Sequence, residues 1–280
     1  MGFGLAGTII LYNPENEVMD NILSYLGELD CLYVIDNTEK PDQELVTKIK
    51  QLPRIQYIAF GENKGVSYAL NTALHLAKDF KFLLTMDQDS KFYDGMIKLY
   101  KHQIEEYYSK HQDTVAMYSV HYDGLPENNT ENDTKIVERA ITSGSIVNID
   151  IANKIGGFDE NLFIDKVDDE FCYRAQLNGY KILQLDKIKL HHHIGNPISI
   201  RIFGKKFAAL NHGKVRKYYI CRNNIYIMKK YPKVRMYCAI DLLKVFTKMI
   251  WVEPDKWTRT LFILKGIKDG LQGRMGRINL

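Results

Sequence analysis

Phe82-Leu83-Leu84-Thr85-Met86-Asp87-Gln88-Asp89 joins five residues of buried-strand character to two carboxylates one residue apart. The apolar run is short and bounded, as expected of a strand covered on both faces of a sheet. Carboxylates that follow such a strand directly emerge at the sheet's edge, within reach of solvent and ligand. A strand period of two predicts that Asp87 and Asp89 project to the same side. Mg2+ and Mn2+ take carboxylate oxygens together with diphosphate oxygens, so the pair is a candidate cation site. A turn or helix-capping pair of aspartates is the commoner meaning of the three residues alone.

Toward the N-terminus, short β-branched runs alternate with helical patterns. Strands are predicted at Leu5–Leu11, Leu32–Ile35 and Ile55–Ala59, and helices at Glu15–Leu29, Pro41–Gln51 and Lys64–Lys78. Val66, Ala69, Leu70, Ala73, Leu74 and Ala77 carry the helical spacing of the last, and Pro41 suits a helix start. Such alternation implies a mostly parallel sheet covered by helices, which binds ligands beyond the carboxyl ends of its strands. Toward the C-terminus, a helix over Asp94–Ser109 and a strand over Val115–Val120 precede a polar surface loop, Asp123–Lys135. Further strands are expected at Ala140–Asn148, Lys181–Leu185 and Ile188–His191, with a short helix at Asp168–Leu177. The remainder reads as three helices, Lys214–Lys230, Val234–Val252 and Lys256–Lys268. The middle one is apolar around most of its circumference, fitting either a core or a membrane interface. The expected fold class is therefore α/β, a mixed sheet with helices on both faces and a C-terminal helical extension. The expected regions are residues 1–196 and a basic region of residues 197–280.

Charge divides in the same place. Residues 197–280 hold 19 Lys+Arg against 4 Asp+Glu, whereas the preceding residues hold 19 against 30. A basic tail on an acidic body points to an anionic partner or to a solvated helical surface. The acidic body and the lack of regular aromatic-basic spacing argue against nucleic acid. Cys31, Cys172, Cys221 and Cys238 form no Cys-x-x-Cys pair, so neither a zinc cluster nor a disulfide framework is expected. No secretory pattern follows Met1 and no run approaches the ~20 apolar residues that span a bilayer, which predicts a soluble or peripheral protein.

Other motifs divide unevenly. Gly2-Phe3-Gly4-Leu5-Ala6-Gly7 matches G-x-G-x-x-G, but it precedes the first strand instead of linking strand to helix, so it is no dinucleotide fingerprint. Asp165, Asp168, Asp169 and Glu170 cluster before Phe171-Cys172-Tyr173-Arg174. A helix's first turn favours acids, yet four within six residues exceed a cap, and one near a metal could act as general base. His191-His192-His193 offers imidazole to the same crevice, with a structural role as the alternative.

Taken in order, these pieces resemble family 2 of the inverting glycosyltransferases, which have the GT-A fold, and in particular bacterial rhamnosyltransferase-type members that build cell-surface polysaccharides. The likeness runs from about Gly7 to Tyr231. It rests on Gly7-Thr8-Ile9-Ile10-Leu11-Tyr12-Asn13-Pro14, Val34-Ile35-Asp36-Asn37-Thr38, Glu62-Asn63-Lys64-Gly65, and Thr85 to Ser90. Thr142-Ser143-Gly144-Ser145, Gly156-Gly157-Phe158-Asp159-Glu160, Phe163 to Arg174, His192-His193-Ile194-Gly195-Asn196 and Tyr218-Tyr219-Ile220-Cys221-Arg222-Asn223 follow.

The resemblance implies roles. Thr8, Tyr12, Asp36, Asn63, Gly65, Asp87, Gln88 and Asp89 would bind the donor, a dTDP- or UDP-sugar, with Asp36 accepting from the imide N–H of thymine or uracil. Asp87, Asp89 and His192 would hold Mn2+ or Mg2+. Asp168 would be the catalytic base, with Asp169 the runner-up. Ser143, Arg216, Tyr218 and Arg222 would contact a lipid-diphosphate-linked or saccharide acceptor, and tail lysines an anionic membrane surface. The first expected donor is dTDP-L-rhamnose, and the expected setting is the cytoplasmic face of a bacterial plasma membrane, with a homodimer left open. A sugar nucleotidyltransferase is the rival enzyme, but Tyr12-Asn13-Pro14 lacks the glycine-rich basic loop that grips a triphosphate. A noncatalytic binding protein is the other alternative.

Overall fold

The computed structural model describes residues 4–123, 134–192, 198–202, 205–209 and 213–278. The chain forms two compact units, one of Met1–Asp159 with Asp168–His193 and one of Glu160–Val167 with Ile194–Leu280.

In the first unit, β1 (Leu5–Leu11), β2 (Cys31–Asp36), β3 (Ile55–Ala59) and β4 (Phe82–Asp87) lie parallel in the order β3-β2-β1-β4. They are linked by α1 (Val18–Leu26), α2 (Gln43–Gln51) and α3 (Val66–Leu76). Interior strands β1, β2 and β4 are enclosed almost throughout, which is why they read as unbroken apolar runs, while edge strand β3 is only partly covered. Helix α2 starts where Asp42, after Pro41, accepts from the Glu44 N–H. At Gly7 an added Cβ would lie 2.4 Å from Leu29 Cδ1, so the chain at the end of α1 packs directly on the strand.

Beyond β4 come β5 (Ser90–Phe92), α4 (Met96–His111), β6 (Val115–Tyr122), β7 (Thr134–Ile136), β8 (Ser145–Asn148), α5 (Ile149–Lys154), α6 (Val167–Leu177) and β9 (Lys181–His192). The sheet continues β4-β8-β6-β9-β5, with β7 also on β9. Strand β8 is antiparallel to β4 and β6, β6 is parallel to β9, and β5 and β7 run antiparallel to β9. Parallel pairing thus governs the first four strands, and the sheet as a whole is mixed.

Several boundaries differ from expectation for identifiable reasons. Strand β9 is one strand, because its pairing with β6 jumps from Val120–Leu185 to His121–Lys189 and the intervening residues bulge out. The strand expected from Ala140 begins only at Ser145, since Gly144 has φ +75° and Leu190 and Val120 press on it. Helix α5 is short, opened by Asn148 accepting from the Ile151 N–H. The apolar core joins Leu5, Ile9, Ile22, Tyr25 and Phe82 to Tyr118, Ile146 and Leu190.

The second unit holds a hairpin of β10 (Ile198–Ile202) and β11 (Lys205–Ala209), then α7 (Lys214–Lys230), a 3-10 turn at Pro232–Val234, α8 (Arg235–Trp251) and α9 (Lys256–Gln272). The hairpin was not anticipated. Helices α7 and α9 approach closely because Gly266 and Gly270, four apart, share one face. A Cβ on Gly266 would lie 2.4 Å from Tyr218 O, and one on Gly270 2.7 Å from Arg222 O. Inside the unit, Glu253 takes Lys217 at 2.6 Å and Arg259 at 2.9 Å, so these buried charges are paired. All four cysteines are buried and none is joined in a disulfide. Among the described residues no helix is long and apolar enough to cross a membrane.

Candidate active site

Parallel β1, β2 and β4 end along one edge of the sheet, where Leu11 is level with Asp36 and Ile10 with Asp87. The loops leaving these strands are laced together. Gln88 Oε1 accepts the Tyr12 N–H at 2.8 Å, and Gln88 Nε2 donates to Tyr12 O at 3.2 Å. Thr38 Oγ1 accepts the Asn13 N–H, and Asp36 Oδ1 accepts the Thr38 N–H, each at 2.8 Å. Asn37 Oδ1 accepts the Lys64 N–H, and Asn63 Oδ1 accepts the N–H of Gly65, whose φ of +89° opens α3. Asp36 is buried and its Oδ2 takes the Tyr57 hydroxyl at 2.5 Å. Burial, and then that bond, push the Tyr57 phenol pKa up. A base N–H would therefore share an oxygen of Asp36 that already has a partner.

The acidic triplet does not run on as a strand. Asp87 ends β4, Gln88 and Asp89 turn, and Ser90 begins β5. The expected alternation along an extended segment is thus corrected: the turn, not the strand period, brings the two carboxylates together. Strand β5 then supplies the third group, because its antiparallel register sets Ser90 opposite His192 and Lys91 opposite His191. Alternation on β9 sends His192 toward the turn, while His191 Nδ1 meets Asp123 Oδ2 at 3.1 Å. His193 lies outside the described residues. Ligand atoms of Asp87, Asp89 and His192 all fall within 4.8 Å of one another. Two carboxylates and an imidazole form a donor set that fits Mn2+ or Mg2+.

A chain of hydroxyls ties these three residues together. The Asp87 N–H donates to Ser143 Oγ at 3.2 Å, and Ser143 Oγ–H donates to Ser90 Oγ at 2.8 Å. Ser90 Oγ lies 3.4 Å from Asp89 Oδ1 and 2.6 Å from His192 Nδ1, and that ring nitrogen is 3.8 Å from Asp89 Oδ1. Ser90 and Ser143 are both buried. Ser143 was expected at the acceptor, and its position is a correction: it sits beneath the triad as a link between Asp87 and Ser90.

Tyr122 was missed by sequence reasoning, as no motif marks it. Its hydroxyl donates to Ser143 O at 2.9 Å and its ring lies edge-on to His192 at 6.0 Å. Burial pushes its phenol pKa up, and the carboxylates of Asp168 and Asp87 push the same way. The carboxylates of Asp87 and Asp168 both act on this one phenol.

The four acids of the second cluster separate in role. Asp168 Oδ1 accepts the Asp169 N–H at 3.0 Å, and Asp169 lies 3.7 Å from Arg139. Glu170 is fully buried and takes Arg174 through both oxygens, at 3.0 and 2.8 Å. Arg174 also donates to the carbonyls of Ile155 and Gly157, so this pair secures the Gly156-Gly157 turn. Asp165 lies in the other unit with φ of +64°, next to Lys166 at +66°. Burial raises the Asp165 pKa, opposed by Arg216, whose Nε donates to Asp165 Oδ1 at 3.0 Å.

Three further expectations change. Thr8 lies mid-strand, not at a strand end; it is buried and its hydroxyl donates to Tyr33 O, so it offers no nucleotide contact. Tyr218 is buried, with its hydroxyl on Asp269 at 2.9 Å. Arg222 is fully buried and donates to Gly276 O, Asn161 O and Asn223 Oδ1. Asn223 in turn donates to the carbonyls of Ile164 and Asp165 at 2.8 Å. The four-residue spacing of Tyr218 and Arg222 is real, but close packing on the glycines of α9 turns it inward, so it braces the Asn161–Asp165 loop. Arg216 alone of that helical set keeps a half-exposed side chain.

Comparison with known proteins agrees with this architecture. The family model described as glycosyl transferase family 2 matches residues 9–191. The dTDP-rhamnosyl transferase RfbF of Shigella flexneri is 28% identical over 245 residues, covering 82% of this chain and 81% of that protein. The low-salt glycan biosynthesis hexosyltransferase Agl10 of Haloferax volcanii is 21% identical, covering 96% of this chain and 91% of its own length. In fold, the crystal structure of GalNAc-T7 with UDP, GalNAc and Mn2+ superposes with a TM-score of 0.63 at 12% identity. That likeness covers 97% of this chain, which spans 56% of the GalNAc-T7 chain. With the GT-A architecture and a family match over most of its length, the chain belongs to glycosyl transferase family 2 and is a glycosyltransferase.

Proposed function

We propose that this chain moves a hexose from a nucleotide diphosphate sugar to a hydroxyl of a lipid-diphosphate-linked or saccharide acceptor in one inverting displacement. The observation that carries the reading is the convergence of Asp87, Asp89 and His192 at the carboxyl ends of parallel strands. A diphosphate fits such an edge, and Tyr12, Asp36, Asn63 and Gly65 border it from neighbouring loops. dTDP-L-rhamnose is the first donor, supported by the 28% identity to a dTDP-rhamnosyl transferase. A UDP-sugar is the competing donor, because Asp36 would accept from the imide N–H of either base.

Asp168 is assigned the base. Its carboxylate takes the acceptor hydroxyl's proton as that oxygen bonds the anomeric carbon from the face opposite the departing diphosphate. The bond from the anomeric carbon to the diphosphate oxygen breaks, and its electron pair leaves with the nucleoside diphosphate. Asp169 is the second choice, since Arg139 already faces it. Bound Mn2+ or Mg2+ would supply Lewis-acid neutralisation of the leaving diphosphate. Arg216 remains the candidate contact to an acceptor phosphate. The setting that fits a lipid-linked acceptor is peripheral, on the cytoplasmic face of a bacterial membrane, with residues 197–280 as the acceptor-side region.

The test is nucleoside diphosphate release from dTDP-rhamnose, UDP-glucose, UDP-galactose and GDP-mannose, with NMR of the product's anomeric configuration. Preferred turnover of dTDP-rhamnose with inversion is expected. Retention of configuration would overturn the single displacement, and preference for the GDP-sugar would overturn the donor assignment.

A further inference from the structure

Helices α8 and α9 each turn a stripe of large apolar side chains away from their own packing. On α8, Met236, Ile240, Leu243, Ile250 and Trp251 are exposed, while Cys238 and Met249 on the other side are buried. On α9, Trp257, Leu261, Leu264 and Leu271 are exposed, while Ile263, Gly266 and Gly270 face inward. Both sets recur at i, i+4, i+7 and i+14, the pitch of a single helical face. Exposure is high for an apolar surface: Trp257 is 76% exposed, Met236 73% and Trp251 65%. Isolated exposed leucines need no explanation, but two apolar stripes, each with a tryptophan at one end, do.

Charge around the stripes identifies what would cover them. Arg235, Lys244 and Lys248 are exposed on α8, and Lys256, Lys265 and Lys268 on α9. The only acids on the two helices are Asp241 and Asp269. Asp241 holds Lys166 at 2.5 Å, and Asp269 is buried against the Tyr218 hydroxyl. In the link between the helices, Glu253 is buried between two cations, which leaves Asp255 as the exposed acid there. A second copy of the chain would set these cations against their like. A phospholipid surface with anionic headgroups would pair with them and take the apolar stripes beneath the headgroup layer. Tryptophan favours that depth, where its ring is apolar and its N–H stays near water.

We propose that the exposed faces of α8 and α9 dock this chain in the plane of an anionic membrane surface. The proposal deepens the lipid-linked acceptor reading and takes its purpose from it, but its evidence is the helices themselves.

The chain's only two tryptophans are Trp251 and Trp257, so intrinsic fluorescence reports on this surface directly. Vesicles of phosphatidylcholine containing phosphatidylglycerol should shift the emission to the blue, and vesicles of phosphatidylcholine alone should not. High salt should weaken the partitioning. The variant Leu243→Glu with Leu264→Glu alters exposed positions, and should lower vesicle partitioning at least about tenfold while leaving thermal unfolding unchanged. An absent shift, an equal shift with neutral vesicles, or a shift that grows with protein concentration without lipid would each overturn the proposal, the last by revealing a second copy as occupant. Neither donor nor acceptor is present in this titration. A protein that binds vesicles but transfers no sugar would refute the catalytic reading and spare this one.

Discussion

Replacing Ser90 with alanine removes one oxygen and disturbs two members of the triad and Ser143 beside them. Ser90 Oγ lies 2.6 Å from His192 Nδ1, 2.8 Å from Ser143 Oγ and 3.4 Å from Asp89 Oδ1. Without it, the imidazole loses the hydroxyl that holds its ring and the buried Ser143 hydroxyl loses its partner. Loss of an outer partner of this kind typically weakens metal binding by about 10–100-fold, or roughly 1.4–2.7 kcal/mol. Leaving the Ser143 donor unpaired should cost about 1–3 kcal/mol in stability as well. Mn2+ affinity, read from free-ion electron paramagnetic resonance, and thermal unfolding without metal should both be measured. Ser90→Thr, which retains the oxygen, should recover most of the affinity. If Ser90→Ala bound Mn2+ as tightly as the parent while melting lower, the hydroxyl chain would be packing alone and its metal role would be refuted.

Asp168→Asn should leave donor binding near the parent value and suppress turnover, whereas Asp169→Asn should retain it; the reverse pattern in steady-state kinetics would move the base to Asp169. Gly266→Ala places a Cβ 2.4 Å from Tyr218 O and forces α9 away from α7, at about 1–3 kcal/mol, readable as a lower Tm. Burial raises the Asp113 pKa, but hydrogen bonds from Lys81 and Asn148 outweigh it and hold it below the usual value. Its folded pKa is therefore the lower one, so its stabilisation is full above the unfolded pKa and is lost as pH falls through the folded value. For this half-exposed pair the loss should be about 0.2–1 kcal/mol, and Lys81→Met should flatten that part of the stability-pH curve.

Much of the fold was legible because its central strands are enclosed on both faces. Leu5–Leu11 and Ile55–Ala59 are strands over the predicted bounds, and Phe82–Met86 is extended by only one residue. What escaped was short or conditional on partners. Strand β5 has three residues and no period of its own, yet its register with β9 is what brings His192 to Asp87 and Asp89. Strand-end position nominated Asp87 and Asp89 and the resemblance named His192, while the pairing of β5 with β9 is what sets His192 opposite Ser90 and His191 opposite Lys91. Burial was the other blind spot. Arg222 and Tyr218 have the spacing of a phosphate-gripping face, but the glycines of α9 draw that face inward, a consequence of residues some 50 positions away. Thr8 failed for a simpler reason: the strand continues three residues beyond it.

The central claim is that Asp87, Asp89 and His192 hold a divalent cation against the donor's diphosphate. Calorimetric titration of dTDP-rhamnose into the parent protein and into Asp89→Ala, each with Mn2+ and with EDTA, tests it most directly. Binding should occur in the parent with Mn2+ and fall away in the other three conditions. Equal donor affinity in EDTA, or in Asp89→Ala with Mn2+, would contradict it.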